Sequence, residues 1–382
     1  MPELQLAVID VKPGAALESQ SGLQLLRPRI YGAWAAPAGA KKVAAIVMHP
    51  ASNFMGHYLT LPLAQRGICC LGLNSRYAGN DTLLLMERVI QDLGAGVQWL
   101  RAQGYEKVVL IGNSGGASLA SFYQAQAERL TIDTLIDGDP AGLVSSDLPP
   151  VDGLALCAAH EGRSTLMRRW IDPSVTDEQD PLATDPAFDL YGTANAPPYT
   201  TEFLARFQAA QRARLARIED WVWTRLCQLR DGEGRRVPGS PRDQTFIIYR
   251  THADPRFLDL GLDPNDRQVG SVWGNGFAGA RAVNYAASQM GRLTSLTGFL
   301  SQWSSRSRAD GPDNLAKTSV PVLLCTYTAD QSTFPSTRAT WLAAGASRIR
   351  NVDIPGGNHY LAGQPNLVIR VADEMAAWIH GL

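Results

Sequence analysis

The sequence predicts an α/β protein: a mostly parallel central sheet with helices on both faces and a mainly helical insertion. Three observations carry this. Short apolar runs alternate with helically spaced patterns through the first third of the chain, and parallel neighbours require such crossovers. The same kind of run returns from Val320 to the C-terminus. Between His160 and Lys317 the alternation stops, and a long amphipathic helix takes its place.

In chain order, Leu4 to Val11 and Leu23 to Trp34 have no helical pattern between them and are expected as antiparallel edge strands. Val43 to Met48 (VAAIVM) and Ile68 to Leu73 (ICCLGL) are short buried strands, joined by a loop holding Pro50, Gly56 and Pro62. From Asp81 the spacing changes, with Met86, Val89, Ile90, Leu93, Val97 and Leu100 at helical intervals and Gly104 as the stop. Lys107 to Ile111 (KVVLI) is a third buried strand, which runs into GNSGG and a small-residue helix, Ala117 to Ala127. Val151 to Ala159, Val320 to Thr326 and Ile349 to Ile354 are later strands of the same sheet, and Leu367 to Ile379 is a closing amphipathic helix.

The insertion is dominated by a helix over Thr201 to Leu229, with Leu204, Phe207, Leu215, Ile218, Val222 and Leu226 on one side. Arg206, Arg212, Arg214, Arg217 and Arg225 share it with Glu202, Glu219 and Asp220, so a solvated face is expected rather than an anion site. A Pro/Gly/Asp-rich connection follows, Asp231 to Asp243. The chain thus divides into a core, 1–160 with 318–382, and an inserted cap, 161–317. The cap's aromatic residues, among them Trp170, Phe203, Trp273, Phe299 and Trp303, are expected to form its own core and to lend a few walls to a pocket.

At 382 residues the chain exceeds the usual single core. Its 35 Lys+Arg against 36 Asp+Glu supply no basic field for nucleic acid or an anionic membrane. No window has the apolar length to span a bilayer, and Met1 to Val11 is not built like a secretory signal. A cytoplasmic protein acting on a small molecule is expected, and the sequence specifies no oligomeric state. Five cysteines are odd in number and far apart. Cys69, Cys70, Cys157 and Cys325 lie in strand-like runs, so buried reduced thiols are expected. His57 and His252 lack partner spacing, and no metal or cofactor is implied.

The chemistry concentrates in Gly112-Asn113-Ser114-Gly115-Gly116, between a strand and a helix. G-x-S-x-G makes a sharp turn that exposes the serine hydroxyl at the carboxyl end of a sheet, with glycines where helix and strand approach closely. A serine nucleophile needs a base, and the base an orienting acid. His359, in Gly356-Gly357-Asn358-His359-Tyr360, directly follows the last strand, and Asp330 follows VLLCTYT in the same way. Catalytic groups of open α/β sheets gather at such strand ends. Asp137 and Asp139 compete as acids but read as turn residues, and Asp353 alternates within a strand.

The order Ser114, Asp330, His359 is that of a nucleophile-elbow hydrolase, and the sequence resembles the α/β-hydrolase superfamily over about Ala44–Ala159 and Val320–Leu382. The resemblance implies the α/β-hydrolase fold, with Ser114 as nucleophile, His359 as base and Asp330 as its orienting acid. It also implies two oxyanion donors. One is the N–H of Gly115, and the other comes from His49-Pro50-Ala51-Ser52-Asn53. The family often has His-Gly where this chain has His-Pro, and proline has no N–H. Ala51 is therefore the expected second donor, with Ser52 in reserve. His49, Ser52 and His160 are the expected substrate-facing residues.

Ester hydrolysis through an acyl-enzyme is the leading function. Amide, thioester or carbon–carbon bond hydrolysis would use the same residues, and a small-molecule receptor on a hydrolase scaffold is the alternative of another class. GNSGG resembles the GDSGG of chymotrypsin-like proteases, but those place His and Asp before the serine. Ser114 at the elbow disfavours the aspartate-nucleophile dehalogenases and epoxide hydrolases. The absence of a G-x-G-x-x-G after the first sheet strands disfavours hydride transfer.

Overall fold

A computed structural model of the chain describes residues 2–13, 28–39, 42–231, 237–287 and 289–382. Its strands are β1 (Gln5–Asp10), β2 (Arg29–Ala35), β3 (Val43–His49), β4 (Cys69–Asn74), β5 (Lys107–Asn113), β6 (Gly153–Cys157), β7 (Thr245–Ile247), β8 (Gly270–Ser271), β9 (Gly274–Asn275), β10 (Leu293–Ser295), β11 (Val322–Tyr327) and β12 (Ile349–Ile354). Eight of them form one sheet in the order β1-β2-β4-β3-β5-β6-β11-β12. β2 is antiparallel to both β1 and β4, and every pairing from β4 to β12 is parallel. The two opening strands are thus antiparallel as expected, but only β1 is an edge, since β2 lies between β1 and β4. Residues 23–27 of the second, and 232–236 of the expected connection after the long helix, lie outside the described residues.

Successive strand residues face opposite ways, and both faces are used. Ala45, Val47, Cys70, Val109 and Ile111 meet α1 (Thr60–Gln65) and the C-terminal helix Pro365–His380 through Leu63, Val371 and Met375. Ala44, Ile46, Met48, Leu71 and Leu110 meet α2 (Met86–Ala102) and α3 (Gly116–Glu128) through Val89, Leu93, Leu119 and Phe122. Each larger side chain among these, fully buried, contributes about 1.5–3 kcal/mol. Two helices depart from the expected pattern. α1 lies in the expected loop, because Pro62 falls in its first turn, where backbone N–H groups have no helical partner. A crossover helix, Pro335–Gly345, joins β11 to β12, and few of its residues are buried, so no apolar stripe marks it.

The segment inserted between β6 and β11 contains α4 (Arg163–Trp170), α5 (Thr201–Gln228), α6 (Gly276–Tyr285), α7 (Leu296–Gln302) and α8 (Gly311–Leu315); the two helices already described by their ranges follow as α9 (Pro335–Gly345) and α10 (Pro365–His380). Thr200 caps α5 by accepting the Phe203 N–H at 3.2 Å. Apolar clusters inside the segment gather Leu166, Trp170, Tyr191, Phe207 and Phe257, and Ile218, Val222, Phe299 and Trp303. Trp221, Trp223, Trp273 and Phe277 are exposed instead. A buried polar network adds to these: Arg250 donates to Asp172 Oδ2 at 2.9 Å, as does Asn284 Nδ2 at 2.7 Å. Among the described residues no helix is long and apolar enough to cross a membrane.

Candidate active site

Ser114 follows β5 with a φ of +58°, in the left-handed region that non-glycine residues seldom occupy. The turn is held from both sides: the Ser114 N–H donates to the Cys157 carbonyl at 3.0 Å, and the His160 N–H donates to the Ser114 carbonyl at 3.2 Å. Its glycines answer to space. A Cβ at Gly112 would stand 2.5 Å from Ala117 Cα, and one at Gly116 2.3 Å from the Met48 carbonyl oxygen. Asn113 donates to the Cys157 carbonyl at 3.1 Å and accepts at Oδ1 from His57 Nε2–H, also at 3.1 Å. His57, which has no partner spacing in the sequence, therefore anchors the residue before the serine. Burial lowers its pKa to about 4 against the favourable Asn113 bond, which keeps it neutral.

The loops after β11 and β12 bring an acid and a histidine to this serine. The Ser114 hydroxyl and His359 Nε2 are 2.9 Å apart, and His359 Nδ1 and Asp330 Oδ2 are 2.8 Å apart. All three residues are buried. Asp330 Oδ1 accepts the N–H groups of Ser332 at 2.7 Å and Thr333 at 3.1 Å, and the Thr333 hydroxyl donates to Oδ2 at 2.6 Å. Burial works to raise the Asp330 pKa, but the His359 charge and these donors reverse it, and the carboxyl stays below its usual range. An ionised Asp330 accepts the Nδ1 proton, which leaves Nε2 as the lone-pair site facing Ser114. The competing acids are engaged elsewhere: Asp137 and Asp139 pair with Arg230 at 2.6 and 2.8 Å, and Asp353 with Arg338 at 3.4 Å.

The loop after β3 is arranged differently from its expected part. The N–H groups of Ala51 and Ser52 both donate to His49 Nδ1, at 3.2 and 2.9 Å. The amide expected to face an oxyanion is thus already occupied, a consequence of a histidine standing two residues before it. His49 Nε2 lies over Gly115, 2.8 Å from where a Cβ would be. His160 is buried with its ring 5.1 Å from that of His359, and burial, followed by the His359 charge, lowers its pKa to about 3. Beyond it come inserted residues: Trp170 meets His160 edge-on at 5.9 Å and Trp273 at 6.0 Å. Sequence reasoning did not single out Tyr360. Its ring meets that of His359 edge-on at 4.5 Å, and burial raises its pKa while an interaction with the Ser114 hydroxyl opposes the rise. The one signal for it in the sequence is its place beside His359.

No protein-family model and no curated protein matches the sequence. Among solved structures, DcsB in complex with its substrate analogue superposes with a TM-score of 0.53 at 15% identity, covering 99% of each chain. The chain has the α/β-hydrolase fold. A thermostable carboxyl esterase from Bacillus coagulans is similar over 99% of this chain and 98% of its own, with 12% identity and a TM-score of 0.49. An esterase domain from Rhodothermus marinus is similar over 98% and 97%, with 13% identity and a TM-score of 0.46. Within the α/β-hydrolase fold the serine, acid and histidine found here stand at the carboxyl ends of β5, β11 and β12.

Proposed function

We propose that this α/β-hydrolase is a serine esterase that cleaves a small carboxylic ester through an acyl-enzyme, in the cytoplasm. The observation that supports it is the continuous hydrogen-bond chain from Ser114 through His359 to Asp330, on a serine held at positive φ. His359 Nε2 takes the hydroxyl proton as Ser114 Oγ adds to the ester carbonyl, and Asp330 stabilises the imidazolium. Collapse of the tetrahedral adduct breaks the ester C–O bond. His359 gives its proton to the departing alcohol, leaving the acyl group on Ser114. Water, activated by His359 in the same way, then releases the acid and restores the serine. The Gly115 N–H, directly after the nucleophile, is one donor to the oxyanion.

The segment 161–317 acts in this reading as a cap over the carboxyl end of the sheet. Asn265 Nδ2 donates to the Asp330 carbonyl at 2.9 Å, and Trp170 packs against His160. Aromatic walls at that position favour an apolar or aromatic substrate group over a sugar or phosphate. None of the five cysteines is joined in a disulfide, which suits a reducing compartment. The test is hydrolysis of p-nitrophenyl esters of graded acyl length by the wild type and Ser114→Ala. Turnover that vanishes in the variant supports the reading, and unchanged turnover in a purified variant refutes it.

A further inference from the structure

The residue between serine and second glycine in G-x-S-x-G is free to vary in the pattern, yet here it is Gly115. The reason is an imidazole. His49 Nε2 would stand 2.8 Å from a Cβ at position 115, too close for any side chain to coexist with the ring in its present place. His49 is buried, and its orientation is set from the other edge, where Nδ1 accepts two backbone N–H groups. A nitrogen that accepts those bonds carries the lone pair, so the proton of the neutral ring sits on Nε2. The ring is kept neutral first by burial and then by the charges of Arg163, His160 and His359, which lower its pKa well below 6.5. Among the described residues Nε2 has no hydrogen-bond partner. It is an unmatched donor on a buried ring, directed at the backbone of the nucleophile elbow, where a substrate oxygen can meet it.

We infer that His49 supplies the second oxyanion donor through its Nε2–H, in place of the Ala51 amide that holds the ring. The inference rests on the serine-hydrolase reading above. Each loop group then has a distinct role. The Ala51 and Ser52 N–H groups fix the tautomer and angle of the ring, and Nε2–H meets the charge that develops on the substrate oxygen beside the Gly115 N–H. A neutral imidazole can serve in such an electrophilic role when its surroundings forbid protonation.

Two substitutions separate this role from a purely structural one. His49→Asn puts an acceptor near the Nδ1 position and keeps the loop bonds, but has no donor reaching Gly115. His49→Gln puts an N–H near the Nε2 position and gives up the loop acceptor. The readout is the second-order rate of Ser114 labelling by a fluorophosphonate, which needs no known substrate, measured beside Ser114→Ala. Loss of one oxyanion donor costs about 10²–10³-fold, so His49→Asn is expected to label slower by that factor and His49→Gln to stay within about tenfold of wild type. His49→Asn labelling at the wild-type rate while His49→Gln labels slowly overturns the inference and leaves the hydrolase reading standing. No labelling of wild-type Ser114 overturns the hydrolase reading itself. Should either variant fail to fold, ¹⁵N spectroscopy of the wild-type imidazole decides: a proton on Nε2 of His49 is expected, and one on Nδ1 overturns the inference.

Discussion

Around the sheet, Ile46, Leu71, Val109 and Leu323 are packed out of water between strands and helices, with the polar residues of the site confined to the strand ends. The flanking layer also encloses an ion pair, Arg76 with Asp92 at 2.6 Å, but in the inserted segment enclosed charge is linked into a network. Arg250 and Asp172 are both fully enclosed at 2.8 Å, Ser174 bonds to each, and Arg214 donates to the Asp172 carbonyl at 2.6 Å. The first region is specified by apolar periodicity, which tolerates small changes of shape. The second is specified by partners far apart in sequence that must all be present. A core assembled from non-directional contacts degrades gradually, whereas an enclosed ion pair fails when one member is removed.

The contrast is sharpest where chemistry is separated from stability. Asp330→Asn should lower kcat by about 10⁴-fold, because the wrong tautomer is then held against Ser114. Its urea midpoint should move far less than that loss implies, and equal losses of folding and activity would erase the distinction. Asp172→Ala should destabilise the protein by about 3–5 kcal/mol, measured by urea unfolding, since it leaves the Arg250 charge enclosed. Asp172→Leu combined with Arg250→Met should recover most of that loss. If the double change is as damaging as the single one, directional bonding rather than charge holds the segment.

Acid provides a third comparison, because buried neutral histidines occur in both regions. His160 and His252 have pKa values lowered to about 3 and His57 to about 4, burial being the largest cause in each. In the unfolded chain each titrates near its ordinary 6.5. Between these values the unfolded state takes up protons that the folded state refuses. Stability is therefore full above pH 6.5 and falls as pH drops toward the folded values, by up to about 1.4 kcal/mol per unit for each histidine. His57→Asn should flatten the slope by about one proton in denaturant titrations, and an unchanged slope would show that His57 contributes nothing to it. Smallest of all, Ile46→Val in the sheet should cost about 0.5–1.5 kcal/mol, read from the same urea midpoints.

These differences also explain what could be read from the chain. The buried strands were legible because VAAIVM, ICCLGL and KVVLI are runs with no other use, and parallel pairing follows from the helices between them. Ser114, His359 and Asp330 were legible as candidates because each directly follows such a run. The crossover α9 was not, since a helix with few buried residues carries no periodic signal. Nor was the occupation of the Ala51 amide, because Ala-Ser after His-Pro gives no sign of where an imidazole will turn. The link between His57 and Asn113 joins residues 56 positions apart, and no local pattern announces it. In the inserted segment the same holds for Asp172 and Arg250, 78 apart. Apolar faces leave a period in the sequence, and paired charges do not.

Everything proposed for the site depends on Ser114 being the residue that becomes acylated. The direct measurement is to mix the protein with a p-nitrophenyl ester, quench with acid within the first turnover and map the added mass by peptide mass spectrometry. One acyl group per chain on the peptide containing Ser114, absent from Ser114→Ala, is the predicted result. Ester turnover with no adduct on Ser114, or with the adduct on another residue, would contradict it.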